Sequence, residues 1–297
     1  MTRIGTPVGS VVSSLGECPV WSERDGMLYW IDIDGRAVHR IEPSTEVTAT
    51  RDLPGRPGSM VLTADPDRLL VAVEHELVEL TWSTGATVPR LALEEPGPGK
   101  RLNDGRCDPA GRYWVGSMDD PPTEHRGRGR LHRVEATAGG LASSEHRSGI
   151  GISNGAAFAP DGRTMYWADT FRDTVWAYDV DIDTGDRSNE RVFLDFSDLP
   201  GRPDGACVDT DGCYWVACVF GWAVLRATPD GRVDRIVELP VEKPTMPAFG
   251  GAALDTMYVT SISDGGSFRS AADQPLAGSL LALDVGVAGV PEPIFAG

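Results

Sequence analysis

Glu17, Arg101 and Asn154 stand at one and the same sequence offset before a tryptophan, namely Trp30, Trp114 and Trp167. Asn103 and Asp204 share an offset shorter by two positions, before Trp114 and Trp215. A difference of two residues returns a side chain to the same face of an extended strand. If the tryptophans mark equivalent places in a repeat, these five side chains therefore converge. Glu17, Asn154 and Asp204 then supply carboxylate and amide oxygens with two negative charges. That donor set suits one hard divalent cation such as Ca, Mg or Mn, and Fe(II) or Zn also accepts it. Arg101 and Asn103 add N–H donors for a carbonyl or for hydroxyls, and Ser59 and Ser153 are smaller members of the neighbourhood. The structural alternative is that these are channel-filling polar residues, with Asp and Asn placed for backbone reasons. Their recurrence in phase favours the chemical reading.

The repeat itself is visible as six hydrophobic pairs, each following a turn of the Asp-Gly-Arg or Asp-Pro-Asp type. They are Tyr29-Trp30, Leu69-Leu70, Tyr113-Trp114, Tyr166-Trp167, Tyr214-Trp215 and Met257-Tyr258. Their spacing of roughly 40–50 residues, with strand composition throughout, predicts an all-β chain folded as a six-bladed β-propeller of four-stranded antiparallel blades. The units run from about residue 17 to 285 without a linker, so residues 1–297 are read as a single domain. In unit four, Gly155–Ala159, the turn Asp161-Gly162, Met165–Ala168 and Thr174–Asp179 read as successive strands and turns. Glu74–Leu80 is read as a strand although Leu77, Val78 and Leu80 fit neither period cleanly. The pairs are placed in the innermost strands, and the site residues on the segments leading into them, where they border the central channel. Gly9–Val12 is expected to join Ser279–Leu283 in the last blade and close the ring. Ser117–Arg130, with Pro121-Pro122, and Ser263–Pro275 are expected to overhang one face as rim loops.

With 44 acidic and 27 basic residues the net charge is −17. That field disfavours nucleic acid and anionic membrane surfaces and modestly disfavours anionic substrates. Cys18, Cys107, Cys207, Cys213 and Cys218 form no CxxC pair, and their odd number fits buried free thiols in a reducing compartment; a Cys213–Cys218 bridge is the alternative. No segment reads as a signal peptide or membrane span, so the chain is expected to be cytoplasmic, as a monomer or weak homo-oligomer. The histidines show no ligand spacing, with His75 the one expected at the rim; Trp222 is expected to border the pocket. The glycine-rich run Gly149–Gly155 lacks the Lys-Ser/Thr end of a phosphate loop, and no Gly-x-Ser-x-Gly elbow is present.

The chain resembles the SMP-30/gluconolactonase family, which includes regucalcin-like proteins and sugar lactonases. The matches are Leu15-Gly16-Glu17-Cys18-Pro19-Val20-Trp21, Arg101-Leu102-Asn103-Asp104-Gly105, Asp108 to Gly116, Gly151-Ile152-Ser153-Asn154-Gly155, Arg202-Pro203-Asp204-Gly205, Phe249-Gly250-Gly251 and Tyr258-Val259-Thr260-Ser261. The resemblance implies a six-bladed propeller that opens aldonolactones with one divalent cation, reported in the family as calcium, zinc, iron or manganese. It implies Glu17, Asn154 and Asp204 as metal ligands, Arg101 and Asn103 as substrate-holding residues, and Asp204 as the catalytic acid/base. Asp119 or Asp120 aligns loosely with a sugar-contacting glutamate of some members. Cys18 stands where glycine is common. The expected partner is a small-molecule sugar lactone. Two rival readings are a phosphotriesterase-like hydrolase and a non-enzymatic calcium-binding propeller.

Overall fold

In a computed structural model of the chain, residues 4–122, 126–263 and 273–297 are described. Among them, strands of five to eleven residues pair into six four-stranded antiparallel sheets, giving a six-bladed β-propeller. The first strands of successive blades contact one another around the ring and are the innermost. They are Gly16–Ser22, Pro57–Leu62, Lys100–Cys107, Ser153–Phe158, Arg202–Val208 and Pro244–Gly250. Apart from the first residue of two of them they are buried throughout, whereas the outermost strands, such as Val47–Asp52 and Ala86–Ala92, are largely exposed.

The hydrophobic pairs sit in the second strand of each blade, not beside the channel. Each blade is packed on both faces, and neighbours along a strand point to opposite faces. Tyr29 therefore joins the core shared with Met60 and Val71 of the next blade, while Trp30 joins the core of the last blade with Leu281 and Leu283. Four such tyrosines and four tryptophans are at most 2% exposed. The indole N–H groups need partners in this interior. Trp30 and Trp167 donate to Ser13 and Ser153, and Trp114 and Trp215 donate to Asp108 and Asp209. Asp209 is buried and also accepts from the backbone of Asp211 and Cys213 at 3.0 Å and from Arg226 Nε at 2.7 Å. The same guanidinium reaches Asp211 and Asp234 at 2.7 and 2.9 Å.

Every innermost strand loses register with its neighbour near its start, between Glu17 and Val20, Pro57 and Ser59, Leu102 and Gly105, Asn154 and Ala157, Pro203 and Ala206, and Pro244 and Pro247. A bulge bends the strand and re-aims side chains. The expectation that the site residues precede the innermost strand is corrected here: they lie within it, at the bulge. Cys18 and Gly155, each following a site residue, have φ of +47° and +63°. That left-handed backbone suits glycine, the residue that the resemblance leads one to expect at position 18. Here the Cys18 thiol donates to Met60 O and accepts from Met60 N at 3.4 and 3.3 Å, tying blade one to blade two. All five cysteines are buried and free.

Thr6–Val12 pairs with Ser279–Asp284, so the N-terminal strand closes the last blade as expected. The strand read from Glu74 begins later, at Glu76–Thr81, because Glu74 (φ +47°) and His75 form the hairpin turn. Parts of both rim segments, 123–125 and 264–272, lie outside the described residues. No helix among the described residues is long and apolar enough to cross a membrane. Beyond the last strand the chain forms a strap across the ends of the innermost strands. Gly289 bridges to Asp209, Glu292 pairs with buried Arg106 at 3.1 Å, and the backbone of buried Phe295 donates to Leu62 O.

Blade two meets blade three through Glu94, whose buried carboxylate accepts from Ser117 and His132 at 2.5 and 3.2 Å and pairs with Lys100. Burial opposes ionisation, but hydrogen bonds from His132, Lys100 and Ser117 prevail and hold the carboxyl down to about 2 from 4.5. A carboxyl depressed by folding stabilises above its unfolded value, and the gain is lost as pH falls through the folded one. Glu94→Gln is therefore expected to cost about 1–3 kcal/mol at neutral pH. The deficit should shrink between pH 4.5 and 2. Urea melts at pH 7 and pH 3 check this; equal deficits at both would contradict it.

Candidate active site

At the bulged ends of the innermost strands lies a cavity of about 350 Å³. Glu17, Arg101, Asn103, Asn154 and Asp204 all line it, contributed by blades one, three, four and five. Each is only 4–7% exposed. The Glu17 and Asp204 carboxyl groups lie close enough to act on each other electrostatically. Burial pushes both well above the usual carboxylate range; the Asp204 and Asp104 charges add to this at Glu17, and Asp104 adds to it at Asp204. Arg101 pulls both partly back. Cys18 N donates to Glu17 Oε2 at 3.0 Å, fixing that carboxyl at the bulge.

A chain of donors sets the amides opposite. Arg101 Nη1 donates to Asn103 Oδ1 at 2.7 Å and to Leu102 O at 2.9 Å. Asn103 Nδ2 donates to Asn154 Oδ1 and to Ser153 O, both at 2.9 Å. Asn154 Nδ2 donates to Thr170 Oγ1, which donates to Pro203 O, each at 2.7 Å. The last carbonyl belongs to the residue before Asp204, so the relay ties blades three, four and five together. It also fixes which Asn154 atom is the oxygen. Arg101 is lowered from its ordinary value by burial and by Arg56. No carboxylate within salt-bridge distance of its guanidinium is found among the described residues.

Among the described residues no three His, Cys, Asp or Glu side chains stand ready to hold a metal ion. The set gathered here is instead two buried carboxylates and one amide oxygen. Two carboxyls pressed together away from water carry the negative charge that a hard divalent cation would neutralise, so the donors fit such an ion.

Asp119 and Asp120 do not line the cavity. Asp119 accepts from Gly127 N, Arg128 N and Arg128 Nε at 2.7, 3.2 and 3.1 Å. Asp120 pairs with Arg56 at 2.5 Å, which outweighs burial and lowers its carboxyl. His75 binds the carbonyls of Gly97 and Lys100 at 3.0 and 2.9 Å, and Trp222 is replaced at the cavity by Val219 and Phe220 of the same hairpin. Sequence reasoning missed Arg202 and Asp104. Arg202 lines the cavity, and buried Asp104 sits beside it, accepting from Ala156 N at 3.2 Å while its Oδ1 has no hydrogen-bond partner among the described residues. Arg202 stands to Trp215 as Arg101 stands to Trp114, so the spacing that picked out Arg101 also points to it.

The chain is similar to known proteins along nearly its whole length. The chain is 40% identical over 292 residues, 96% of each protein, to the 6-deoxy-6-sulfogluconolactonase of Pseudomonas putida. It is 34% identical to the L-arabinolactonase of Azospirillum brasilense, over 96% of this chain and 93% of that one. The crystal structure of a calcium-binding protein, regucalcin, from Agrobacterium tumefaciens superposes with a TM-score of 0.91 at 28% identity, over 99% and 98% of the two chains. The family described as SMP-30/Gluconolactonase/LRE-like region matches residues 15–263, a span that contains Glu17, Arg101, Asn103, Asn154 and Asp204, and the chain belongs to that family.

Proposed function

We propose that this protein hydrolyses a sugar lactone to its aldonic acid, with a divalent cation held by Glu17, Asn154 and Asp204. The observation that supports it is the convergence of those three with Arg101 and Asn103 in one cavity. Two relatives at 40% and 34% identity bear lactonase names.

Hydrolysis adds water to the lactone carbonyl carbon and breaks its bond to the ring oxygen. Ionised Asp204 accepts a proton from the attacking water and returns it to the departing ring oxygen, so the carboxylate is regenerated. Burial and the Asp104 charge oppose that ionised form, and the positive charges of Arg101 and a bound cation would favour it. Arg101 and Asn103 hold the substrate through its hydroxyls, each hydrogen bond contributing about 0.5–1.5 kcal/mol. When bound, the cation supplies polarisation of the carbonyl oxygen and stabilises its developing charge.

The test is an aldonolactone panel offered to metal-stripped protein, with Ca, Mg, Mn, Zn and Fe(II) restored singly and spontaneous opening subtracted. Stripping is expected to lower turnover at least about 10²-fold, with recovery on adding back one cation. Undiminished activity after stripping would remove the cation from the reading, and a silent panel would remove lactone hydrolysis. The apolar wall of Leu15, Ile33, Ile152 and Ile262 favours, as second reading, an ester with apolar substituents. A phosphotriester in the same panel separates the two.

A further inference from the structure

Among the described residues, Arg202 and Arg101 are the arginines that line the cavity. They occupy equivalent places in blades five and three, at the same offset from the tryptophan of each blade. Arg202 precedes Asp204 by two positions in the same strand, and both side chains line the cavity. The strand carries Arg202 about 6.6 Å from Asp204, toward the mouth. There its guanidinium is half-exposed, lies 5.9 Å from the Phe171 ring centre, and has Nε 3.4 Å from Asp173 Oδ1. That pair is long and makes no hydrogen bond at Asp173 Oδ1, so it leaves the cation only weakly neutralised. Among the described residues lining the cavity the acidic ones are Glu17 and Asp204, both deeply buried. Among the described residues, Glu17 and Asp204 thus lie deep in the cavity with Arg101, and Arg202 stands on its exposed side.

We infer that the substrate carries a permanently anionic tetrahedral group, a sulfonate or a phosphate ester, at the carbon farthest from the lactone carbonyl, and that Arg202 receives it. The inference rests on the lactonase reading and deepens it. With the carbonyl beside Asp204, two residues of extended strand correspond to the reach from the carbonyl of a six-carbon lactone to its C6 substituent. The chain as a whole, at −17, repels such a group. A local guanidinium offsets that repulsion and offers a fork of donors matched to two oxyanion oxygens. The name of the 40% identical relative, a 6-deoxy-6-sulfogluconolactonase, describes a lactone of this class.

The experiment compares kcat/KM for gluconolactone, 6-phosphogluconolactone and 6-deoxy-6-sulfogluconolactone in wild-type, Arg202→Gln, Arg202→Lys and Asp173→Asn proteins. The readout is the ratio of anionic to neutral substrate. Arg202→Gln should lower the ratio by about tenfold to a hundredfold, mostly through KM, and Arg202→Lys should restore part of it. Asp173→Asn, which frees the guanidinium and keeps a residue tolerant of the left-handed backbone at 173 (φ +51°), should raise it. The larger ratio of the two anionic lactones distinguishes sulfonate from phosphate. A ratio unchanged by Arg202→Gln, with both substrates losing equally, would assign Arg202 a structural role and overturn the inference. If no lactone turns over, the activity reading falls while the anion subsite is still judged by calorimetry. Glucose 6-phosphate should then bind wild type at least tenfold tighter than glucose and lose that advantage in Arg202→Gln; equal binding to wild type overturns it.

Discussion

Asp204→Asn is expected to lower kcat for lactone hydrolysis by about 10²–10⁴-fold. The amide keeps the size of the carboxyl and one oxygen facing the cavity, but it cannot take a proton from water or return one to the ring oxygen. The surrounding relay does not depend on the Asp204 side chain. It runs from Arg101 through Asn103, Asn154 and Thr170 to the backbone carbonyl of Pro203. The variant also relieves the crowding of buried carboxyls that pushes Glu17 upward, so folding should not suffer. Steady-state rates at saturating substrate are the measurement, with cation titration by calorimetry confirming that the variant is loaded. Wild-type kcat in a loaded, folded Asp204→Asn protein would reject the acid/base assignment.

The largest effect on stability is expected at Asp209, far from the cavity at the opposite end of its strand. Asp209→Ala removes the buried acceptor shared by Trp215 Nε1 at 2.8 Å and Arg226 Nε at 2.7 Å, and two backbone N–H groups with it. Arg226 keeps Asp211 and Asp234, but one indole and two backbone N–H groups lose their buried acceptor, and the guanidinium loses its buried partner, at a cost of about 3–5 kcal/mol. Asp211 touches the same guanidinium at 2.7 Å, but its own side chain is 64% exposed. Asp211→Ala should therefore cost no more than about 1 kcal/mol. Urea unfolding followed by tryptophan fluorescence compares the two. Costs that agree within error would mean that burial does not govern this network.

The sequence reveals the blades because each is buried on both faces: Tyr29-Trp30 and its counterparts place two large apolar residues in succession, and the turns repeat with them. Ring closure is legible for the same reason, since Gly9–Val12 and Ser279–Leu283 are the strand-like runs left over at the ends. The bulge is not legible. One additional residue in a strand leaves no mark on the apolar pattern, so the pairs read as channel-side and lie one strand outward. Cys18 hides it further, because a non-glycine residue at φ +47° is held there by contacts to Met60 that only the fold discloses. The convergence of Glu17, Arg101, Asn103, Asn154 and Asp204 survives that error because a shared offset moves all of them together. Asp119 and Asp120 have no such phase relation, and their partners turn out to be Arg128 and Arg56. Asp104 escapes notice because it directly follows Asn103, on the opposite side of an ordinary strand; at a bulge both can face inward.

The strap through Glu292 and Phe295 crosses the ends of the innermost strands away from the cavity that holds Glu17 and Asp204. On the lactonase reading, substrate enters and product leaves by the bulged end, where the cavity lies. The ring-opened acid on that reading gains a carboxylate beside Arg101 and the cation, which hold it in place. Incoming substrate and outgoing acid then compete for a single doorway, and accumulated product should slow the enzyme by standing in it.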